Sequence, residues 1–254
     1  MRRVAVYAGT RNVYGQMVIA AKSLLSHTRM DRVWFLIEDD AFPEEICGPK
    51  GLPDVIRCAN VSGQEFFPKD GPNYDSEWTY MTLMRLALPR VLPAEEKRCL
   101  WLDTDTIVEQ DIGELFDMPM RGNYVAMVEE PVRSRYPFRY HNSGVMLMDL
   151  DALRMDGIWQ KWVKLVNRQK MSAPDQDAVN LICQGEILTI GPEWNNAGHI
   201  TQNSADTKIR HYAGCLKPRG ERVFREYEQA EWIVKTEGGS AAGQDGGTED
   251  ASED

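Results

Sequence analysis

The residues best suited to chemistry in this chain are carboxylates, and their spacing singles them out. Asp103 and Asp105 stand one residue apart where an apolar run, residues 99–102, ends; apolar character resumes at Ile107 and Val108. A short apolar run bounded by charge suits a strand buried on both faces. Ligands of open α/β sheets gather beyond the carboxyl ends of such strands. Two carboxylates there could hold a hard divalent cation, which in turn could hold a diphosphate. The same Asp-x-Asp pattern recurs at Asp149/Asp151 and at Asp175/Asp177, and residues 145–148 give the second copy an apolar run of its own. Any one copy also reads as a strand end or a helix cap with solvated acids. Spacing alone leaves Asp103/Asp105 and Asp149/Asp151 as rivals.

Few other groups could complete such a site. Of the four histidines, His27 ends a helical stretch and His199 lies in a polar loop. His211 closes a β-like run shortly before Gly214 and Lys217-Pro218. An imidazole there could complete an Asp/Asp/His site suited to Mn²⁺ or Mg²⁺, or could be a half-buried structural group. Arg85 interrupts an otherwise apolar helical stretch, either as an ion-pair partner or as a ligand group. Arg133, Arg135, Tyr136, Phe138, Arg139 and Tyr140 make a basic, aromatic loop. It could be a lid that meets a phosphate or an acceptor, or simply a solvated loop.

The elements that must position these groups alternate between strand and helix. Strands are expected at residues 4–7, 33–37, 54–59, 99–102, 124–128, 145–148, 187–190 and 208–212. Helices are expected at 15–27; at 78–88, stopped by Pro89 and Pro93; at 111–116, capped by Asp111; and at 151–171, capped by Asp151. Two more are expected at 175–183, with Asp175 as N-cap, and at 221–234. This alternation implies an α/β fold with a mostly parallel central sheet. No Gly-x-Gly-x-x-Gly, Walker signature or internal repeat is present.

Composition bounds the rest. A chain of 254 residues, 43% hydrophobic and 27% charged, fits one large α/β domain or two small ones in an ordinary soluble protein. Its net charge of −10 argues against nucleic-acid phosphate or an anionic membrane as the main partner. Half of that excess lies in residues 238–254, which hold five acids and no base. We therefore expect a folded domain over 1–235 and a disordered acidic tail over 236–254. The five cysteines are scattered without a Cys-x-x-Cys pair, which argues against zinc and disulfide frameworks and suits a reducing compartment. The apolar run after Met1-Arg-Arg is too short for a signal-peptide core, and no stretch reaches 18 apolar residues. The expected location is cytoplasmic.

The ordered motifs resemble a known family. Trp78, Arg85-Leu-Ala-Leu-Pro and Leu92-Pro are followed by Leu100-Trp-Leu-Asp-Thr-Asp-Thr-Ile-Val and Asp111-Ile-Gly-Glu-Leu-Phe. Then come Asn142-Ser-Gly-Val-Met-Leu-Met, Pro174-Asp-Gln-Asp-Ala-Val-Asn and His211-Tyr-Ala-Gly-Cys-Leu-Lys-Pro. Together they resemble the family 8 glycosyltransferases, which include bacterial lipopolysaccharide galactosyl- and glucosyltransferases, glycogenin and galactinol synthase. The likeness runs from about residue 4 to 218.

The resemblance implies a GT-A (Rossmann-like) fold and a UDP-sugar donor, UDP-glucose or UDP-galactose, with Mn²⁺ or Mg²⁺ bridging its phosphates. It implies that Asp103, Asp105 and His211 are the metal ligands, which decides between the acid pairs, and that Lys217 reaches the diphosphate. Thr104 stands between the two acids of the donor motif. Arg85, Asn142, Asp175 and Gln176 match residues around the transferred sugar. Ala8, Thr10, Asn12 and Tyr14 match the loop that cradles uridine, where a tyrosine in some members stacks on the base. The family retains anomeric configuration; same-face attack, with the leaving phosphate taking the acceptor's proton, needs no dedicated base.

This chain departs from the pattern at Arg219, where tryptophan is usual, at Ser143, where alanine is common, and at Thr10-Arg11, where many bacterial members carry acids. The residues after Pro218 do not resemble the basic tail of the lipopolysaccharide enzymes, so a membrane-bound acceptor is less expected. Two other readings are a sugar nucleotidyltransferase and a non-catalytic sugar-nucleotide or glycan-binding module on a transferase scaffold. The acceptor is unidentified by either the residues or the resemblance.

Overall fold

The computed structural model describes residues 1–75, 79–130, 136–197, 206–213 and 222–236. Trp78, Arg133, Arg135, His199, Lys217, Arg219 and the expected acidic tail beyond residue 236 lie outside the described residues. In chain order the elements are β1 (Val4–Ala8), α1 (Tyr14–His27), β2 (Arg32–Ile37), α2 (Glu44–Cys47), β3 (Ile56–Asn60), α3 (Thr79–Val91), β4 (Arg98–Leu102), β5 (Thr106–Val108) and α4 (Gly113–Asp117). They continue with β6 (Val125–Glu129), β7 (His141–Asp149), α5 (Leu150–Met155), α6 (Ile158–Val166), α7 (Pro174–Ile182), β8 (Ile187–Ile190), β9 (Asn196–Ala197), β10 (Ile209–His211) and α8 (Arg222–Gln229).

A seven-stranded sheet, in the order β3-β2-β1-β4-β7-β6-β8, carries the molecule. Its strands are apolar on both faces because helices cover both. Val4 and Val6 point into a core with α3, α5, α6 and α7. Ala5 and Tyr7 point into a second core with α1 and α4. Every pairing is parallel except those of β7, which runs antiparallel to both β4 and β6. The strand order reverses at β1 and β4, so their carboxyl ends open a crevice between them. Because β7 runs the other way, it brings its amino end to that crevice: Val145 pairs with Leu102, and Asp103 N–H donates to Gly144 O at 2.8 Å. A smaller sheet, β5-β10-β9, lies just beyond β4 and holds His211 opposite Thr106.

Several elements differ from the sequence expectation, each for a local reason. Pro89 does not end α3, which runs on to Val91. The Arg154 guanidinium donates to the carbonyl of Pro89 in the last turn of α3 and to those of Leu92, Pro93 and Glu96 just beyond it. Asp149, not Asp151, caps α5 by accepting from Ala152 N–H. The expected 151–171 helix breaks in two at Gly157, whose φ of +64° favours a residue without Cβ. Asp175 is not the N-cap of α7: the helix begins at Pro174, a proline in the first turn, which puts Asp175 inside and turns it toward Arg85. Asp111 sits just ahead of α4, accepting from Gly113 N–H and the Thr28 hydroxyl. The apolar pattern 99–108 divides between two sheets, β4 and β5, with the acids at the break. No helix among the described residues is long and apolar enough to cross a membrane.

Candidate functional site

A cavity of about 460 Å³ occupies the crevice at the carboxyl ends of β1 and β4. Ala8, Thr10 and Asn12 line one side; Asp103, Thr104, Asp105 and His211 line the floor; Arg85, Asn142, Asp175 and Gln176 close the other side. Tyr14 is not in that wall. It is fully buried at the start of α1, stacked on Phe42 with centroids 4.7 Å apart. Its hydroxyl donates to Asp39 at 2.7 Å and accepts from Glu38 N–H at 2.9 Å. Burial, with the Asp39 hydrogen bond, pushes its pKa up to about 12. It braces the turn after β2 rather than offering a ring to a ligand.

At the floor, Asp103, Asp105 and His211 each aim one ligand atom inward, all within 4.8 Å of one another. His211 Nε2 lies 3.3 Å from Asp105 Oδ1 and 3.7 Å from Asp103 Oδ2. Those separations suit neighbouring positions around a cation with bonds of about 2 Å. The imidazole reaches in because residue 144 is glycine: a Cβ there would stand 2.1 Å from His211 Cε1. Burial pulls the His211 pKa down, but the Asp105 carboxylate, with Asp103, more than offsets it and leaves it above the ordinary value. The cluster is therefore built to take positive charge. Two hard carboxylates and an imidazole with a nitrogen turned toward them fit Mn²⁺ or Mg²⁺.

Asp103 is shared between this cluster and Arg85. Its Oδ1 accepts from Arg85 Nη2 at 2.9 Å and from Trp101 Nε1 at 2.8 Å, leaving Oδ2 for the cluster. Arg85, only 2% exposed, lies over the Trp101 ring at 4.5 Å. Its other nitrogens reach Asp175 Oδ2 at 3.2 Å and the Ser143 and Thr82 carbonyls at 2.6 and 2.9 Å. A cation with this many partners holds the two acids apart in a fixed geometry. Arg85 thus ties the loop after β4 to the first turn of α7.

The wall opposite the β1 loop is a hydrogen-bonded lattice. Gln176 Oε1 accepts from Ser143 N–H at 3.0 Å, which turns its Nε2 toward Glu130 Oε2 at 3.1 Å. The same carboxylate oxygen accepts from Asn142 Nδ2 at 3.0 Å. Ser143 Oγ donates to Asp175 Oδ2 at 2.8 Å, so the serine at this position joins α7 to β7. Tyr140 donates to Asp177; burial, then that carboxylate, holds its phenol well above the ordinary pKa and keeps it protonated.

Three residues of this site carried no sequence signal: Glu130, Asn195 and Tyr140 as a partner of Asp177. Glu130 and Asn195 lie in loops without periodicity, and both are essentially fully buried. The register between β6 and β7 slips between Ala126↔Leu147 and Val128↔Asn142, which brings the β6 end beside Asn142.

Comparison with known proteins matches the geometry to a family. The model of "Glycosyl transferase family 8" matches residues 5–219. The chain is 27% identical over 197 residues to General stress protein A of Bacillus subtilis, covering 64% of this chain and 69% of that protein. It is 25% identical over 262 residues to the glycosyltransferase GlyE of Streptococcus pneumoniae, covering 92% of this chain and 62% of that protein. This chain thus spans about three-fifths of the length of GlyE. Among solved structures, GlyE superposes with a TM-score of 0.72 over 91% of this chain and 61% of its own, at 20% identity. The galactosyltransferase LgtC, solved in complex with donor and acceptor sugar analogues, superposes with a TM-score of 0.64 over 89% of this chain and 95% of its own, also at 20% identity. The architecture is accordingly the GT-A fold. With the family model spanning both the crevice at β1 and the β10 histidine, this chain belongs to glycosyltransferase family 8.

Proposed function

We propose that the chain is a retaining hexosyltransferase that moves glucose or galactose from a UDP-sugar to a hydroxyl acceptor, with Mn²⁺ or Mg²⁺ held by Asp103, Asp105 and His211. The observation that carries this reading is one cavity with two distinct ends: a cluster of cation-binding atoms, and a polar wall locked by its own hydrogen bonds. Residues Ala8, Thr10 and Asn12 would receive the uridine along the β1 side, and Lys217 would reach the diphosphate. The bound cation would stabilise negative charge building on the departing diphosphate. Asp175 and Gln176, with Asn142, orient the sugar against the far wall, and Arg85 keeps Asp103 and Asp175 in register.

In the proposed reaction the acceptor oxygen bonds to the anomeric carbon on the face that UDP leaves, and the leaving phosphate takes the acceptor's proton. Gln176 is uncharged and its amide oxygen is already engaged by Ser143 N–H, which supports an orienting role over that of a covalent nucleophile. The free thiols of Cys47, Cys58, Cys99 and Cys183 support a reducing, cytoplasmic setting.

A donor screen by UDP release, with NMR of the anomeric proton in the product, tests this reading. UDP should be released from UDP-glucose or UDP-galactose in a metal-dependent way, with an α-linked product. A β-linked product would contradict same-face attack. Pyrophosphate formation would favour a nucleotidyltransferase, and UDP binding without turnover on any acceptor would favour a binding module.

A further inference from the structure

The imidazole of the metal cluster has two nitrogens, and the residues behind it decide which of them carries the proton. His211 is 4% exposed, with Nε2 toward Asp103 and Asp105 and Nδ1 2.8 Å from Asn195 Oδ1. A neutral imidazole has one N–H. Beside two carboxylates, the unaided preference is to put it on Nε2, where it can donate to Asp105. That tautomer offers no lone pair to a cation.

Asn195 opposes it, and its own orientation is not adjustable. Asn195 is fully buried in the loop leading to β9, and its Nδ2 donates to Asn142 Oδ1 at 2.8 Å. That oxygen also accepts the backbone N–H of Gly144 at 2.9 Å, a donor that cannot turn around. Asn142 Nδ2 donates to Glu130, whose carboxylate offers acceptors only. Reversing either amide would set donor against donor or acceptor against acceptor in a buried place. The chain Glu130–Asn142–Asn195–His211 therefore has one direction, and its last link requires a proton on Nδ1.

We propose that Asn195 is a positioning residue for the metal cluster: its side-chain oxygen holds His211 as the Nδ1–H tautomer and presents Nε2 to Asp103 and Asp105. This rests on the metal dependence proposed above. A polar group behind a ligating histidine typically contributes tenfold or more to metal affinity by orienting the ring and raising its basicity.

The test is titration of the full chain with Mn²⁺ alone, followed by electron paramagnetic resonance, with melting temperature recorded for each variant. Asn195→Ala and Asn195→Leu should bind Mn²⁺ about 10- to 100-fold more weakly than the wild type. Asn195→Asp keeps an acceptor for Nδ1–H and should bind within about threefold of the wild type, although it melts lower because a buried carboxylate faces the Asn142 oxygen. A role limited to packing predicts the reverse order, with Asp the weakest. If the Ala and Leu variants do not fold, Asn195→Asp decides alone: retained Mn²⁺ affinity supports the proposal and its loss overturns it. Equal Mn²⁺ affinity in wild type, Ala and Leu variants overturns the inference and leaves the metal reading intact. A wild type that binds no Mn²⁺ overturns the metal reading and this inference with it.

Discussion

Asp103/Asp105 and Asp149/Asp151 follow similar apolar runs with the same spacing, yet they lie at opposite ends of one sheet. β4 points its carboxyl end into the crevice; β7, paired antiparallel to it, delivers its own carboxyl end beside Arg98, at the far edge. There Asp149 caps a helix, and Asp151 meets Lys97 at 3.1 Å and Arg154 at 3.2 Å. At the near edge Asp103 and Asp105 meet a buried arginine and a buried histidine instead. A pair of carboxylates acquires a function from the direction of its strand and from what stands opposite, not from its spacing.

That contrast breaks most sharply at Asp105. Asp105→Ala should lower turnover by more than about 1,000-fold and abolish metal-dependent UDP binding, since several kcal/mol of charge stabilisation is lost. Asp151→Ala should leave both unchanged and cost about 0.5 kcal/mol of stability, as partly exposed ion pairs do. UDP release and calorimetry on the two variants check this together; equal effects would erase the distinction between the pairs.

Gly144→Ala tests what stands opposite the acids without touching them. The added methyl would occupy His211's place, so Mn²⁺ affinity should fall by about 100-fold, and the melting temperature should fall as well because a buried ring must shift. Normal Mn²⁺ binding would mean that His211 is not a ligand.

Gln176→Ala probes the polar wall. It should bind UDP almost as the wild type does and turn over about 10- to 1,000-fold more slowly, because the proposed contact at the reacting sugar is lost together with the bonds to Ser143 and Glu130 that hold the wall. Loss of UDP binding as complete as in Asp105→Ala would make Gln176 a structural helix residue. The smallest effect is expected at the far edge: Asp149→Ala should cost about 1 kcal/mol in denaturant melts, the value of a helix cap, with UDP release unaltered.

Much of this arrangement was legible in the chain because it depends on local patterning. The apolar runs at 4–7 and 99–102 announce β1 and β4, and helix α1 shows in its periodicity. Asp103, Asp105 and His211 stand out as residue types with ligand chemistry at strand ends, but Asp149/Asp151 rivals the first pair until the family resemblance decides between them. What escaped depended on partners distant in sequence. Pro89 reads as a stop, yet α3 runs on to Val91, and the Pro89 carbonyl finds its donor in Arg154, 65 residues on. Asp175 reads as a cap until Arg85 is placed beside it. Glu130 and Asn195 acquire meaning only through Asn142, which strand register brings between them. Tyr14 has the right type at the right place for a base-stacking ring, but the turn after β2 claims its hydroxyl.

In the proposed function the carboxylates at the β4 end act through a bound cation on a nucleotide diphosphate. Calorimetric titration of the wild-type chain with UDP, after EDTA treatment and again with Mn²⁺ restored, tests it directly. Mn²⁺ should tighten UDP binding by about 100-fold or more, in line with the several kcal/mol that a cation held by Asp103, Asp105 and His211 would supply against the diphosphate charge. Equal UDP affinity with and without the metal would contradict it.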